Sequence, residues 1–437
     1  MSEPPRSLAD SLRRFDDARL EELLDARPDL RTPVPRGLGP LAARAGAAFS
    51  TQRATSSLTL PEKNLVDALA VLPDGTDLHT LAAAVDSTTA DIAPFVERLR
   101  TLALVWGRDD LHLVRSLRDQ LRTPAGLAPE DDADPSPGEA RRLVDAVPAA
   151  LQEILEHLRW GPARLDAAPD SSLARALVEA GIATQRGEAL LIPRTVHLAL
   201  RGGRVHRAVP TARPIPTGEA PRERIPGART AQAVHAAFEA LRILGTVRTW
   251  DDDPPAVLQR GGIPQRDLRR LAHQADATPG VYTTVLQSAW CAGLIGHDGQ
   301  EWHPTRDWDE YRDRSAESRW AELVLAWAGS HHLAVIVGTP DAQNSTRAAL
   351  SDGTRREGAR TRRRSLIRQL GAHPGAHVDA STLEASLRWA FPLVPDQVIT
   401  EEVAALITEA TTLGVIGDGG LTVLGAALAH ALDLPIT

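Results

Sequence analysis

One junction is written four times along this chain. It reads TLALVWG at 101–107, EAGIATQ at 179–185, CAGLIGH at 291–297 and TLGVIGD at 412–418. In each copy a helical apolar pattern stops at a small residue, Ala103, Gly181, Gly293 or Gly414, and a short apolar run follows. Glycine tolerates the left-handed backbone that ends a helix. A brief apolar run after it suits a strand entering a core. The intervals between copies are unequal, which predicts separate modules of similar build rather than a solenoid of fixed period.

The fullest copy is 254–304. Gly261-Gly262 interrupt the chain, and Pro264 suits the first turn of a helix. Leu268, Leu271, Ala272 and Ala275 then recur at helical spacing, with Arg266, Arg269 and Arg270 on another face. Thr278 before Pro279 predicts the N-cap of a second helix, whose inner stripe is Val285, Leu286 and Ala289. After Gly293, two short strands are expected around His297-Asp298-Gly299, because Asp-Gly favours tight hairpins. Two helices and a hairpin are the plan of a winged helix; the competing reading is the same elements packed for no nucleic-acid purpose.

Extended to the other copies, the pattern predicts a mainly α chain of tandem winged-helix modules (helix-turn-helix plus β-wing) behind a helical N-terminal lead-in. The expected boundaries are 1–57 for the lead-in, 58–122 for the first module, 123–139 for a Pro/Asp-rich linker and 140–200 for the second module. An Arg/Pro-rich linker follows at 201–229, a third module at 230–315, a helix and mobile loop at 316–360, and a fourth module at 361–437. Five of the nine tryptophans lie between Trp290 and Trp327, so a well-packed junction is expected there.

The N-terminus lacks an apolar signal core, and no run is long enough to span a bilayer, so a cytoplasmic protein without membrane contact, nucleoid-associated if it binds DNA, is expected. A lone cysteine, Cys291, excludes an intrachain disulfide and reads as a small core residue. The net charge of −8 argues against a general polyanion binder, although locally gathered positive charge still serves DNA. Nearly all that positive charge is arginine, Lys63 being the sole lysine, which fits a GC-rich coding sequence as well as phosphate recognition.

The chain resembles the actinobacterial helicase-associated proteins of the XPB-like helicase N-terminal family. The resemblance rests on Ser7-Leu8-Ala9, Ala26-Arg27-Pro28-Asp29-Leu30, Thr32-Pro33-Val34-Pro35 and Leu102-Ala103-Leu104-Val105-Trp106-Gly107. It continues through Pro254-Pro255, Gly261-Gly262-Ile263, Arg266-Asp267-Leu268-Arg269-Arg270-Leu271-Ala272, and Arg319-Trp320-Ala321 with Ala326-Trp327. It implies a helicase or transcription assembly as partner. Family members are usually longer, with a further C-terminal region, and what that region does is not credited to this chain.

No catalytic constellation is legible, so a protein without enzymatic activity and without cofactor or metal is expected. A P-loop needs Gly-Lys-Ser/Thr to bring lysine to the phosphates, and Lys63 stands between Glu62 and Asn64. His331-His332 and the His297/His303 pair lack partners at metal-ligand spacing. Two DNA-facing candidates remain. One is Arg266, Arg269 and Arg270 as phosphate contacts, with Thr283, Thr284 and Gln287 on the next helix as base-edge or phosphate contacts. The other is the run Arg355, Arg356, Arg360, Arg362, Arg363, Arg364 and Arg368, read as an exposed, locally positive stretch. Glu401, Glu402 and Glu409 on the last module's third helix would repel phosphate, so that module is expected to touch protein. The alternative to a DNA-binding accessory is a protein-interaction scaffold without nucleic-acid contact.

Overall fold

Short polar residues set where many helices of this chain begin. Ser7, Asp16, Asp77, Thr88, Ser136, Ser171, Thr278 and Ser315 each precede a helix, and each side chain accepts from the backbone N–H three residues on. Such a cap satisfies one of the orphan donors of the first turn and is worth about 1 kcal/mol. The computed structural model describes residues 5–166, 171–216 and 227–433. Contacts divide the chain into two units, Met1–Arg213 with Trp389–Leu393, and Pro214–Arg388 with Val394–Thr437. Both are mainly helical, and no described helix is long and apolar enough to cross a membrane.

The first unit opens with α1 (Leu8–Leu12), α2 (Asp17–Ala26), α3 (Leu38–Ala45) and α4 (Ala48–Thr55). Leu12, Leu23, Leu30, Leu41 and Ala45 bury together with Ala103 as a small core. Next come α5 (Leu60–Val71), α6 (Leu78–Ala84), α7 (Thr89–Thr101) and the hairpin of β1 (Val105–Trp106) and β2 (His112–Leu113), with α8 (Arg115–Gln120) behind it. Helices α9 (Pro137–Asp145) and α10 (Ala149–Leu158) lead to β3 (Arg164–Asp166), α11 (Ser172–Glu179), β4 (Thr184–Arg186), β5 (Ala189–Leu191) and α12 (Arg194–Leu200). The three strands pair antiparallel in the order β3-β5-β4.

The second unit begins with α13 (Ala228–Gly245), α14 (Gln265–Gln274), α15 (Pro279–Cys291) and the hairpin of β6 (Ile295–His297) and β7 (Trp302–Pro304). Helices α16 (Asp307–Arg312) and α17 (Ala316–Gly329) follow. The last set is α18 (Ala359–Ala372), α19 (Ala380–Ala390), α20 (Asp396–Thr412), the hairpin of β8 (Ile416–Gly417) and β9 (Gly420–Leu421), and α21 (Val423–Asp433).

The four junctions share one geometry. Ala103, Gly181, Gly293 and Gly414 all have positive φ, at 53°, 70°, 76° and 76°. After each, the next N–H reaches back five residues: Leu104 to Leu99, Ile182 to Leu177, Leu294 to Ala289 and Val415 to Ala410. That bond closes a Schellman cap, which satisfies a terminal carbonyl and turns the chain out of the helix. Leu104, Ile182, Leu294 and Val415 are fully buried, so the cap also drives an apolar side chain into its core.

A second regularity lies ahead of each junction. A strand-like residue before the later helices pairs antiparallel with the second arm of the hairpin: Thr76 with Leu111, β3 with β5, Ala256 with Glu301, and His377 with Gly420. Three of the sets therefore run helix, bridging residue, helix, helix, hairpin. The set built on α10 has one described helix, α11, between its bridging strand and its hairpin.

Three segments differ from their sequence expectation. The 123–139 stretch, expected to be a linker, buries Pro124, Leu127 and Ala128, and its Ser136-Pro137-Gly138-Glu139 is a capping box opening α9. In the 201–229 stretch Val205 is buried and donates to the Ala84 carbonyl; residues 217–226 lie outside the described ones. The expected mobile loop within 316–360 is packed: Ala348, Ala349, Leu350 and Thr354 are buried, and Ile263 pairs with Ala349.

Candidate nucleic-acid interface

Helix α14 is built on a sharp division of faces. Leu268, Leu271 and Ala272 are buried against α15, and Asp267 is buried beside them. Arg266 points outward, its side chain 93% exposed, with Nε 3.7 Å from Asp267. Arg269 is exposed and has no ion-pair partner among the described residues. Arg270 is drawn back to Asp253 and lies 3.8 Å from Asp267. Of the three arginines read as phosphate contacts, two face solvent and the third is engaged within the fold.

The expected readers on α15 are inside. Thr283, Thr284 and Gln287 are 3%, 2% and 4% exposed, which removes them as contacts for DNA in this conformation. The threonine hydroxyls donate back to the carbonyls of Pro279 and Gly280 one turn earlier. Gln287 donates to Thr354 Oγ1 at 2.8 Å and accepts from the Leu350 N–H at 3.2 Å. The physical reason is the 330–358 segment, which folds over α15, while α17 and α20 pack against the same helix. A groove-reading helix needs a free outer face, and α15 has none.

The arginine run at 355–368 is sorted by helix geometry. Arg362 and Arg363 are buried, contrary to the exposed run expected from sequence. Arg362 makes a two-pronged pair with Glu402. Arg363 donates to the carbonyls of Trp327 at 2.6 Å, Ser330 at 2.9 Å and His332 at 2.9 Å, and lies 3.3 Å from Glu409. Glu409 is fully buried and also accepts from Trp327 Nε1 at 2.7 Å and the Ala334 N–H at 2.6 Å. Glu402 and Glu409 therefore neutralise internal arginines instead of repelling an external phosphate. Arg355, Arg360 and Arg368 stay exposed, with Arg356 and Arg364 half-buried.

Arginine serves the interior elsewhere too. Arg27, 1% exposed, donates to the carbonyls of Ala45 and Leu102 at the ends of α3 and α7. Arg194 donates to the carbonyls of Ala128 and Arg122. Arg201 donates to those of Arg159, Ala125, Val205 and Gly161, and burial lowers its guanidinium to about 10. A cation is favoured at the carbonyl end of a helix, and guanidinium has donors enough for several carbonyls at once. These residues were missed as determinants of the fold; Arg27-Pro28-Asp29 at a helix end was the one available signal.

The outer faces of α7 and α11 are open but mixed in charge: Asp91, Glu97 and Arg98 on the first, Arg175 and Glu179 on the second. Cys291 is half-buried, 3.1 Å from Ser330 Oγ, and burial pushes its thiol up, so it is no reactive thiolate. His332 meets Thr354 Oγ1 at 2.9 Å, and His303 lies 3.7 Å from Asp298. Among the described residues no His, Cys, Asp and Glu side chains gather as a metal site. No protein-family model, curated protein or solved structure matches the chain.

Proposed function

We propose that the four repeats are winged-helix modules. On this reading the chain is a non-catalytic accessory of a helicase or transcription assembly, as its resemblance to helicase-associated proteins implies. It contacts duplex DNA through phosphates and reads no bases with its second unit. One observation carries this reading. The order helix, bridging residue, helix, helix, hairpin recurs in three of the repeats, and all four share the strand pairing and the left-handed cap. In such modules the helix before the wing reads bases, and flanking residues hold the backbone. With α15 covered, the outward Arg266 and Arg269 supply positive charge that registers phosphate but not sequence. The non-enzyme reading is supported by Lys63, whose ammonium rests on Asp67 at 2.6 Å on helix α5.

A labelled-duplex titration of the full chain tests this. Binding should weaken steeply between 50 and 200 mM salt and be equal for unrelated sequences, with each lost phosphate contact shallowing the log K slope by about 0.9. Arg266→Ala with Arg269→Ala should lower affinity equally on all duplexes. Absence of binding at low salt overturns the DNA reading.

A scaffold that touches only protein is the second reading. It is favoured by an apolar groove in the second unit, floored by Ala237, Leu241 and Trp320, beside the exposed Val234 and Phe238. Loss of a partner from Phe238→Ser, with no duplex binding by the parent chain, would put it first.

A further inference from the structure

Helix α18 separates its arginines by angle. Arg362 and Arg363 turn inward onto carboxylates. Arg360, Arg364 and Arg368 recur at every fourth position and so stack on one face, spanning about 12 Å of helix axis. Arg360 and Arg364 have no ion-pair partner among the described residues, and the nearby Glu357 is engaged by Arg355 at 3.4 Å. Arg368 closes the row, held by Asp433 at 2.9 Å and donating to the Leu432 carbonyl. Burial and then the charges of Arg368 and Arg360 hold the Arg364 guanidinium below its ordinary value. Like charges four apart on a helix destabilise it, yet this face carries three. The exposed Thr361 adds a hydroxyl between the first two.

We propose that Arg360, Thr361 and Arg364, bounded by Arg368, form a sequence-independent contact for the phosphate backbone of duplex DNA. The inference rests on the accessory reading above and names where its DNA runs in the fourth module. Guanidinium forks match phosphate oxygens two at a time. A protein contact draws most of its binding energy from anchors desolvated in well-packed pockets at its centre, and no aromatic or apolar anchor stands in this exposed row. A single strand would need aromatic stacking platforms. The row offers neither: it presents the open Arg360 and Arg364 with the Thr361 hydroxyl, while Asp433 and Glu357 are engaged by Arg368 and Arg355. The fourth module thus meets DNA on its first helix, because its third, α20, is spent on Glu402 and Glu409.

The test uses the full chain with Arg360→Ala and Arg364→Ala together, against labelled duplexes of unrelated sequence. Its log K against log[salt] slope should be shallower by about 1.8, two contacts' worth. That is a roughly 12-fold smaller loss of affinity between 50 and 200 mM salt. Arg360→Lys with Arg364→Lys should keep the parent slope. The melting temperature of the alanine variant should equal or exceed the parent's, since repulsion is relieved. An unchanged slope in a parent that binds DNA overturns the inference and leaves the accessory reading intact. A sequence-dependent loss also overturns it. A parent that binds no duplex at low salt removes both.

Discussion

The four junctions make a graded experiment, because one backbone conformation is held in four different surroundings. At Gly293 nothing lies within 4 Å of where a Cβ would stand, so Gly293→Ala meets only the left-handed penalty, about 1–2 kcal/mol. At Gly181 the Cβ would sit 3.0 Å from Leu143 Cδ2, the end of a flexible side chain, adding a few tenths of a kcal/mol beyond the same penalty. At Gly414 it would sit 2.5 Å from the carbonyl oxygen of Ala233, in the middle of α13. Backbone must move there, and overpacking of that kind costs about 1–3 kcal/mol more. Gly414→Ala is therefore expected to cost roughly 2–5 kcal/mol. Ala103 already carries its methyl in the strained conformation, fully buried. Ala103→Gly relieves about 1–2 kcal/mol but loses about 0.8 kcal/mol of methyl burial and roughly 0.5–1 kcal/mol of chain entropy, and so is near neutral. Urea unfolding, with each transition fitted separately because the chain has two units, measures the series. A Gly293→Ala cost equal to or above that of Gly414→Ala would refute the reasoning.

Other outcomes follow from buried charge. Arg363→Ala should destabilise the second unit by about 3–5 kcal/mol, because it strands the Glu409 carboxylate in the core; a loss under about 1 kcal/mol in urea unfolding would mean that the pair is not buried in solution. His197 is fully buried and lowered to about 4, first by burial and then by Arg201, so it stays neutral in the fold. The unfolded chain binds that proton below its ordinary pKa near 6.5, and the first unit should lose about 3 kcal/mol between pH 6.5 and 4, a loss that His197→Gln abolishes. His112 has the opposite sign. Burial opposes its charge, but hydrogen bonds to Asp74 at 2.9 Å and Asp110 at 3.1 Å raise its pKa above the ordinary value. With Arg118 also facing Asp74 and Trp106 stacked on the ring, its contribution is full below pH 6.5 and lost as pH rises through the raised pKa. His112→Gln should flatten that arm of the melting-temperature profile. Finally, Ser136→Ala should cost about 1 kcal/mol through the α9 cap, read by the same unfolding curves.

The mainly helical build was legible because its signals are local. Thr278 caps where its sequence said it would, and the small residue at each junction takes the left-handed turn its position required. The bridging residues were not legible. Thr76, Ala256 and His377 contribute one residue each to a ladder, which is too short for any alternation to appear. Helix α9 begins in a stretch whose prolines and aspartates outweigh Ser136 and Glu139, although the capping box is there to be read. The 339–358 segment reads as polar because its buried apolar residues are one short run, Ala348-Ala349-Leu350, and Thr354 does the rest through hydrogen bonds.

The arginines show why a site is harder to read than a fold. A row of seven basic residues in fourteen positions has one meaning as text and three as a fold. Turning by 100° per residue sends Arg362 and Arg363 to Glu402 and Glu409, forty and forty-six residues away, and leaves Arg360 and Arg364 outside. No local signal distinguishes these fates, since each depends on an acid placed by a different helix. The same holds for Thr283, Thr284 and Gln287, whose spacing suits a groove-reading face but whose neighbours arrive from residues 350–354. Charge that finds a carboxylate or a ring of carbonyls inside the fold is unavailable to a polyanion. The positive charge that remains outside on α14 and α18 is open to a DNA contact.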